Sequence, residues 1–433
     1  MPGAGAVSGA PRATEYAGPP AGAGPGEFGA LQGLVVLDLT MMLAGPFATM
    51  MLADQGALVI KVEPPGGDMT RTTGPHLPGA LTIEEQGFGG YFGSINRNKR
   101  SLVLDLKKAS GKAALIRLVR RADVLVENYR AGVMERLGLG YETLARENPK
   151  LVYATLRGFG DPRSGESPYA DWPAYDPVSQ AMGGIMGITG PVQGGAPTKI
   201  GPGVGDIVPA MFLAYGVAAA CWRAQRTGQG QFVDVSMVDG VLAVCERLVY
   251  QYAASGVAPG PEGNGHPMLC PFGLFPAKDG WVSLGVPNDR FWVPLVERMG
   301  RPELATDPRY ALRPDRVARR AEVDAIVSKW TSRHTKQQLS ELLGGEIPFG
   351  PVFDAADIFA DPHFAARGML VPTEQPGAAD RLTVAGTPVH MSATPGGIAR
   401  RAPLTGEDGE RTLAQFGFGA DEIAALRADG ATQ

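Results

Sequence analysis

Short apolar runs alternating with helix-patterned stretches fill the first third of the chain and leave few folds open to it. Residues 34–39, Leu-Val-Val-Leu-Asp-Leu, have the length and composition of a buried strand. Residues 57–62, 101–105, 123–127 and 151–156 repeat the pattern. Helix-like segments lie between them: one opened by Pro46, which suits a first helical turn, then residues 110–121 and 141–147. The first strand, helix and second strand form a β-α-β unit, whose strands should be parallel with a right-handed crossover. Repeated along the chain, the alternation predicts an α/β fold with a doubly wound sheet.

Further along, residues 207–222 are strongly apolar but shorter than the ~20 residues of a membrane span, and they contain Pro209, so a buried core helix is expected. A turn at 226–230, a strand at 232–236 and a helix at 238–253 follow. Residues 255–265 are rich in Gly and Pro and mark a boundary. A smaller segment begins with a strand at 280–286, with helices at 291–299, 319–331 and 335–343 and a strand at 349–353. At 433 residues the chain exceeds the ~250–300 residues that one core usually serves. The expected layout is a disordered leader over 1–28, a large domain over 29–254, a linker and small domain over 255–364, and a C-terminal segment over 365–433.

Several function classes are disfavoured. A net charge of −4 does not suit a general nucleic-acid binder. Three cysteines without a CxxC suggest neither a disulfide framework nor a zinc site, and fit a cytoplasmic protein. The leader has no apolar run and is not a secretory signal. The first β-α turn lacks the G-x-G-x-x-G fingerprint, and the Gly-rich stretch 201–205 has no Lys-Ser/Thr after it. No two of the five histidines stand at metal-ligand spacing, so no metal is expected. No G-x-S-x-G elbow supports a serine hydrolase. No membrane association is expected.

What remains is a set of cations and amides near predicted strand ends. Asn96-Arg97-Asn98-Lys99-Arg100 forms a basic turn, the kind usually found at a solvated surface. Asn128 and Tyr129 follow one strand and Arg157 another; Lys107, Arg130 and Arg136 add charge. Ligands of open α/β sheets gather outside the carboxyl ends of the strands, where such groups suit phosphates. Asp206 opens the long apolar helix. An Asp there is most often an N-cap, yet the same place suits a reactive carboxylate, because the helix dipole favours its charge. Asp176, followed by Pro177, has the same two readings.

Longer stretches add a resemblance. They include Val36-Leu37-Asp38-Leu39-Thr40, Ala44-Gly45-Pro46, Val59-Ile60-Lys61-Val62-Glu63, Gly67-Asp68-Met69-Thr70-Arg71 and Asn98-Lys99-Arg100-Ser101. Asp123-Val124-Leu125-Val126-Glu127-Asn128-Tyr129, Arg226-Thr227-Gly228-Gln229-Gly230 and Arg401-Ala402-Pro403-Leu404 complete the pattern. In these, residues 31–430 resemble the class III CoA-transferases, a family that includes formyl-CoA and carnitine-CoA transferases and the α-methylacyl-CoA racemases. The resemblance implies a Rossmann-like large domain, a smaller α/β domain, a tail returning to the large domain, and an interlocked homodimer. It implies coenzyme A, carried as an acyl-CoA substrate, with a carboxylic acid as the second substrate. By position, Leu104, Lys107, Asn128, Tyr129, Arg136, Leu137 and Arg157 correspond to residues that hold CoA in those transferases.

Asp206 corresponds to their aspartate nucleophile, which follows a Thr-Gly pair, here Thr189-Gly190, and a Gly/Pro-rich stretch. It would attack the thioester to give a mixed anhydride, which the CoA thiolate converts to an aspartyl-CoA thioester. Backbone N–H groups of a Gly-rich loop, with residues 255–265 as the candidate, would stabilise oxyanions. Formyl-CoA transferases carry Gln where this chain has Leu43, which disfavours formyl-CoA and oxalate as substrates, and Arg where it has Pro64, which implies the loss of one CoA contact. Asp176 matches an acid/base carboxylate of the racemases, but Tyr175 stands where they have His, and no His occurs from 77 to 265. Transferase chemistry is the leading expectation. An acyl-CoA racemase using Asp176 and a non-catalytic acyl-CoA binder are the alternatives.

Overall fold

The computed structural model describes residues 18–20, 22–191 and 194–433. In chain order, β1 (Val35–Asp38), α1 (Ala44–Asp54), β2 (Leu58–Glu63), α2 (Gly90–Ile95), β3 (Lys99–Val103), α3 (Ala109–Val119) and β4 (Val124–Glu127) come first. Then follow α4 (Val133–Arg136), α5 (Tyr141–Glu147), β5 (Val152–Arg157), α6 (Asp176–Met182), α7 (Val204–Thr227), β6 (Gln231–Ser236) and α8 (Met237–Val244).

The six strands form one parallel sheet in the order β3-β2-β1-β4-β5-β6. Chain order reverses between β1 and β4, and a crevice opens at such a reversal. Successive residues of a strand point to opposite faces, both of them covered here, which is why the runs are mostly apolar rather than alternating. Leu37, Ile60 and Leu125 face α3 residues Leu115 and Leu118. Val36, Val59 and Val126 face Leu52 of α1 and Leu213 and Val217 of α7. By length and composition α7 could cross a bilayer. In the fold its Ala210, Leu213, Val217 and Ala220 are buried against the sheet.

The remaining elements are α9 (Glu246–Ser255), β7 (Phe272–Ala277), β8 (Gly280–Gly285), α10 (Asp289–Arg298), α11 (Arg313–Ala318), α12 (Arg320–Thr331), α13 (Lys336–Leu343) and β9 (Phe349–Pro351). After them come α14 (Ala355–Ala360), α15 (Pro362–Ala366), β10 (Leu370–Glu374), β11 (Arg381–Ala385), α16 (Gly409–Gln415) and α17 (Ala420–Ala428). The chain divides into two compact units. The first holds Met1–Gly183, Gly201–Glu246 and Pro362–Gln433; the second holds Gly184–Ile200 and Arg247–Asp361. In the second, antiparallel β7-β8-β9 packs on Trp292, Leu295, Val323, Val327 and Leu339. In the first, the C-terminal segment covers the β3 edge: the Thr432 hydroxyl donates to the Val103 carbonyl, and Leu413 and Phe416 join the core under α3.

Four expectations change. The leader predicted over 1–28 lies mostly outside the described residues, but Phe28 at its end is 2% exposed, so that end belongs to the fold. The single helix predicted at 238–253 is two, α8 and α9, broken at Cys245. β7 was not foreseen, because Gly273 and Pro276 interrupt its apolar pattern. β3 starts at Lys99, so two of the five residues of the expected basic turn, Lys99 and Arg100, are strand.

Candidate active site

The loops after three neighbouring strands meet at the crevice predicted by the strand order. Met41–Ala44 after β1, Asn128–Ala131 after β4, and Arg157 and Gly158 at the end of β5 line a cavity of about 310 Å³. Tyr91 of α2, Asp206 of α7, Met69, Trp172 and Tyr175 line it too.

Buried charge supports its floor. The Asp38 carboxylate at the end of β1 accepts from the Thr40 amide (2.9 Å) and from Lys99 Nζ (2.9 Å), and neither charged group reaches solvent. Lys99 Nζ also donates to Thr49 Oγ1 (2.8 Å) and Asn96 Oδ1 (2.9 Å). Lys61 Nζ donates to the Thr40 carbonyl (2.8 Å) and pairs with Asp68 (2.9 Å), the N-cap of the 3₁₀ turn Met69–Thr72. Burial alone would raise the Asp38 carboxyl, but Lys99 and Lys61 outweigh it and hold it below the usual range. Burial pushes the Lys99 ammonium down to about 8. These ions thus fix the loops carrying Met41, Leu43 and Met69. Met42 among them takes a left-handed conformation, φ 71°, uncommon outside glycine.

Asn128 clamps the β1 loop to the β4 loop through both of its amide groups. Arg157 is held between buried Glu127 (2.5 Å) and Asp161, and its Nε donates to the Tyr129 carbonyl (3.0 Å). Burial raises the Glu127 carboxyl to about 7, although Arg157 opposes it. Arg157 therefore frames the cavity with its charge already paired. Arg130, in contrast, is exposed, and among the described residues its guanidinium has no side-chain partner.

Asp206 is not the N-cap that its position suggested. Gly203 occupies that place, and Asp206 is the third residue of α7, only 9% exposed. Its amide donates to the Gly203 carbonyl (3.1 Å), and its carboxylate sits where the helix dipole favours negative charge. Asp176 is likewise the first residue of α6, after the N-cap Tyr175. Tyr91, which the sequence did not single out, shares the cavity with Asp206. Burial first, then the charges of Asp206, Asp68 and Asp176, raise its phenol, which stays protonated and able to donate.

A second cavity of about 280 Å³ is lined by Leu104, Lys107, Tyr129, Val133, Arg136 and Leu137, with Pro64. The expected CoA residues thus fall into two groups. Leu104, Lys107, Arg136 and Leu137 line this second cavity, Asn128 and Arg157 line the first with Asp206, and Tyr129 borders both. The basic turn joins neither group. Arg97 pairs with Asp54 (2.7 Å), Lys99 with Asp38, and Asn98 donates to Asp54 and to the Gly397 carbonyl. These charges build the fold, a use that their sequence neighbours do not reveal. Residues 255–265 belong to the second unit.

Residues 31–409 match the model of CoA-transferase family III. A succinyl-CoA:mesaconate CoA-transferase from Haloarcula hispanica is 47% identical over 391 residues, 90% of this chain and 97% of that protein. An acetyl-CoA:oxalate CoA-transferase from Acetobacter aceti is 42% identical over 346 residues, 79% of this chain and 86% of that protein. The crystal structure of a CaiB/BaiF family protein from Brucella suis superposes with a TM-score of 0.78 at 36% identity, covering 90% of this chain and all of that one. The chain belongs to CoA-transferase family III, and it is an enzyme that moves CoA between an acyl thioester and a carboxylic acid.

Proposed function

We propose that Asp206 is the nucleophile of this transfer and that the acids exchanged are dicarboxylic. The observation that carries the first part is a nearly buried carboxylate in the first turn of a 24-residue helix, facing a cavity at the sheet's crevice. An Asp206 oxygen attacks the thioester carbonyl, and the C–S bond breaks to release CoA thiolate. The thiolate then attacks the aspartyl carbonyl of the resulting anhydride, freeing the donor acid and leaving an aspartyl-CoA thioester. The acceptor carboxylate reverses the two steps, and Asp206 is regenerated.

CoA runs from the second cavity, where Lys107 and Arg136 meet its phosphates, past Tyr129 to Asp206. The tyrosine phenol of Tyr91 donates to the developing oxyanion or to the incoming acid.

Two observations support a dicarboxylic acceptor. The relatives' names carry mesaconate and oxalate, both dicarboxylates. In this cavity Arg130 presents a guanidinium with no side-chain partner among the described residues, suited to a second carboxylate. Leu43, packed beside Gly203, gives the cavity an apolar wall. A homodimer fits the exposed face of α7, where Met211, Tyr215 and Trp222 stand 46, 75 and 64% open.

The test is CoA exchange from succinyl-CoA into a panel of mono- and dicarboxylic acids. Four- and five-carbon dicarboxylic acids should give the highest kcat/KM. Arg130→Ala should raise their KM about tenfold or more, consistent with loss of a charge-assisted bond, and leave monocarboxylic acids nearly unaffected. Equal turnover of both classes would remove the dicarboxylic assignment.

A further inference from the structure

The carboxylate of Asp176 is turned to the backbone that presents Asp206. Its Oδ1 accepts the Gly205 amide at 2.9 Å and Gln180 Nε2 at 2.8 Å, while Gln180 Nε2 also reaches the Pro202 carbonyl at 3.4 Å. Asp176 is 8% exposed and Gln180 fully buried. Gly205 is the second residue of α7, and its N–H is one of the amides a helix start leaves without an internal partner. Asp176, 29 residues earlier in the chain, supplies that partner.

The fit around this bond is close. A Cβ on Gly205 would lie 2.5 Å from the Asp176 carbonyl oxygen and 3.0 Å from Ser179 Cβ. A Cβ on Gly203 would lie 3.1 Å from Leu43 Cδ2. The turn before Asp206 is therefore pressed between α6 and Leu43, with Asp176 bonded to its centre. Tyr175 lines the cavity around Asp206, whereas Asp176 is not among its lining residues.

We infer that Asp176 is a positioning residue: it fixes the first turn of α7 so that the Asp206 carboxylate meets the thioester carbonyl, and it transfers no proton. The inference rests on Asp206 being the nucleophile. Misplacing a reacting group by about 1 Å can cost on the order of 100-fold in rate. An Asp176 that acts as a base needs its ionised carboxylate; one that holds a turn needs only an acceptor oxygen, which asparagine keeps.

The experiment compares Asp176→Ala, Asp176→Asn and Gln180→Leu with wild type for CoA exchange, far-UV spectrum and melting temperature. Asp176→Ala should lower kcat by about 10–100-fold with the acyl-CoA KM changed by less than about threefold, the pattern of lost transition-state geometry. Asp176→Asn should recover to within about threefold of wild type, with an unchanged pH–rate profile. Gln180→Leu, which keeps the Asp176–Gly205 bond but loosens it, should fall between, and it decides the matter if Asp176→Ala does not fold. An Asn variant as inactive as the Ala variant, with both folded, would overturn the inference, and so would full activity in Asp176→Ala or Gln180→Leu. If Asp206→Asn, assayed alongside, keeps wild-type CoA exchange, it is the nucleophile reading that falls.

Discussion

Asn128 and Met41 exchange two hydrogen bonds across the crevice. The Met41 amide donates to Asn128 Oδ1 at 2.9 Å, and Asn128 Nδ2 donates to the Met41 carbonyl at 2.8 Å. The side chain thus imitates one more strand pairing just beyond the ends of β1 and β4, where the sheet order reverses. Only an amide of this length offers both partners. Asn128→Asp should lose one donor and set a carboxylate against the Met41 carbonyl, and Asn128→Ala should lose both bonds. Each should cost roughly 1–3 kcal/mol in urea unfolding and raise the acyl-CoA KM. Unchanged stability in Asn128→Ala would contradict the clamp.

Lys99 neutralises Asp38 below the site. Lys99→Met leaves that carboxylate buried with Lys61 as its nearest remaining cation, and breaking a buried pair from one side typically costs about 3–5 kcal/mol. The double variant Asp38→Asn/Lys99→Met should regain much of that loss. A double-mutant cycle by chemical denaturation measures the coupling. Additive effects would show that the two charges do not stabilise each other.

Glu127 gives a pH signature. Its folded-state value is raised from the usual 4.5 to about 7, chiefly by burial, so between those values the folded chain binds more protons than the unfolded one. Its contribution therefore falls as pH rises from about 4.5 to about 7 and is level above that. Glu127→Gln removes this term. The stability of wild type relative to the Gln variant should decline by a few kcal/mol at most between pH 5 and pH 8. A relative stability that rises over this window would contradict a Glu127 carboxyl raised by burial against the pull of Arg157.

The parallel sheet was legible because strands covered on both faces are apolar at most positions; β1, β2, β4 and β5 fall within a residue of their predicted ends. Leu104, Lys107, Arg136 and Leu137, expected together, line one cavity. Charge was read less well. Arg97, Asn98 and Lys99 look like a solvated turn, because their partners Asp54 and Asp38 lie more than forty residues earlier. Tyr91 carries no motif and joins the site only because α2 reaches the crevice. The excursion Gly184–Ile200 into the second unit is rich in Gly and Pro, which marks a loop but not the unit it joins.

The covalent role of Asp206 is the claim on which the rest depends. The direct measurement is mass spectrometry of the protein after incubation with succinyl-CoA and hydroxylamine, with Asp206→Asn as control. The account predicts a hydroxamate on the peptide carrying Asp206, formed only with acyl-CoA present and absent from the variant. An unmodified Asp206 in a protein that is transferring CoA, or a hydroxamate on another carboxylate, would contradict it.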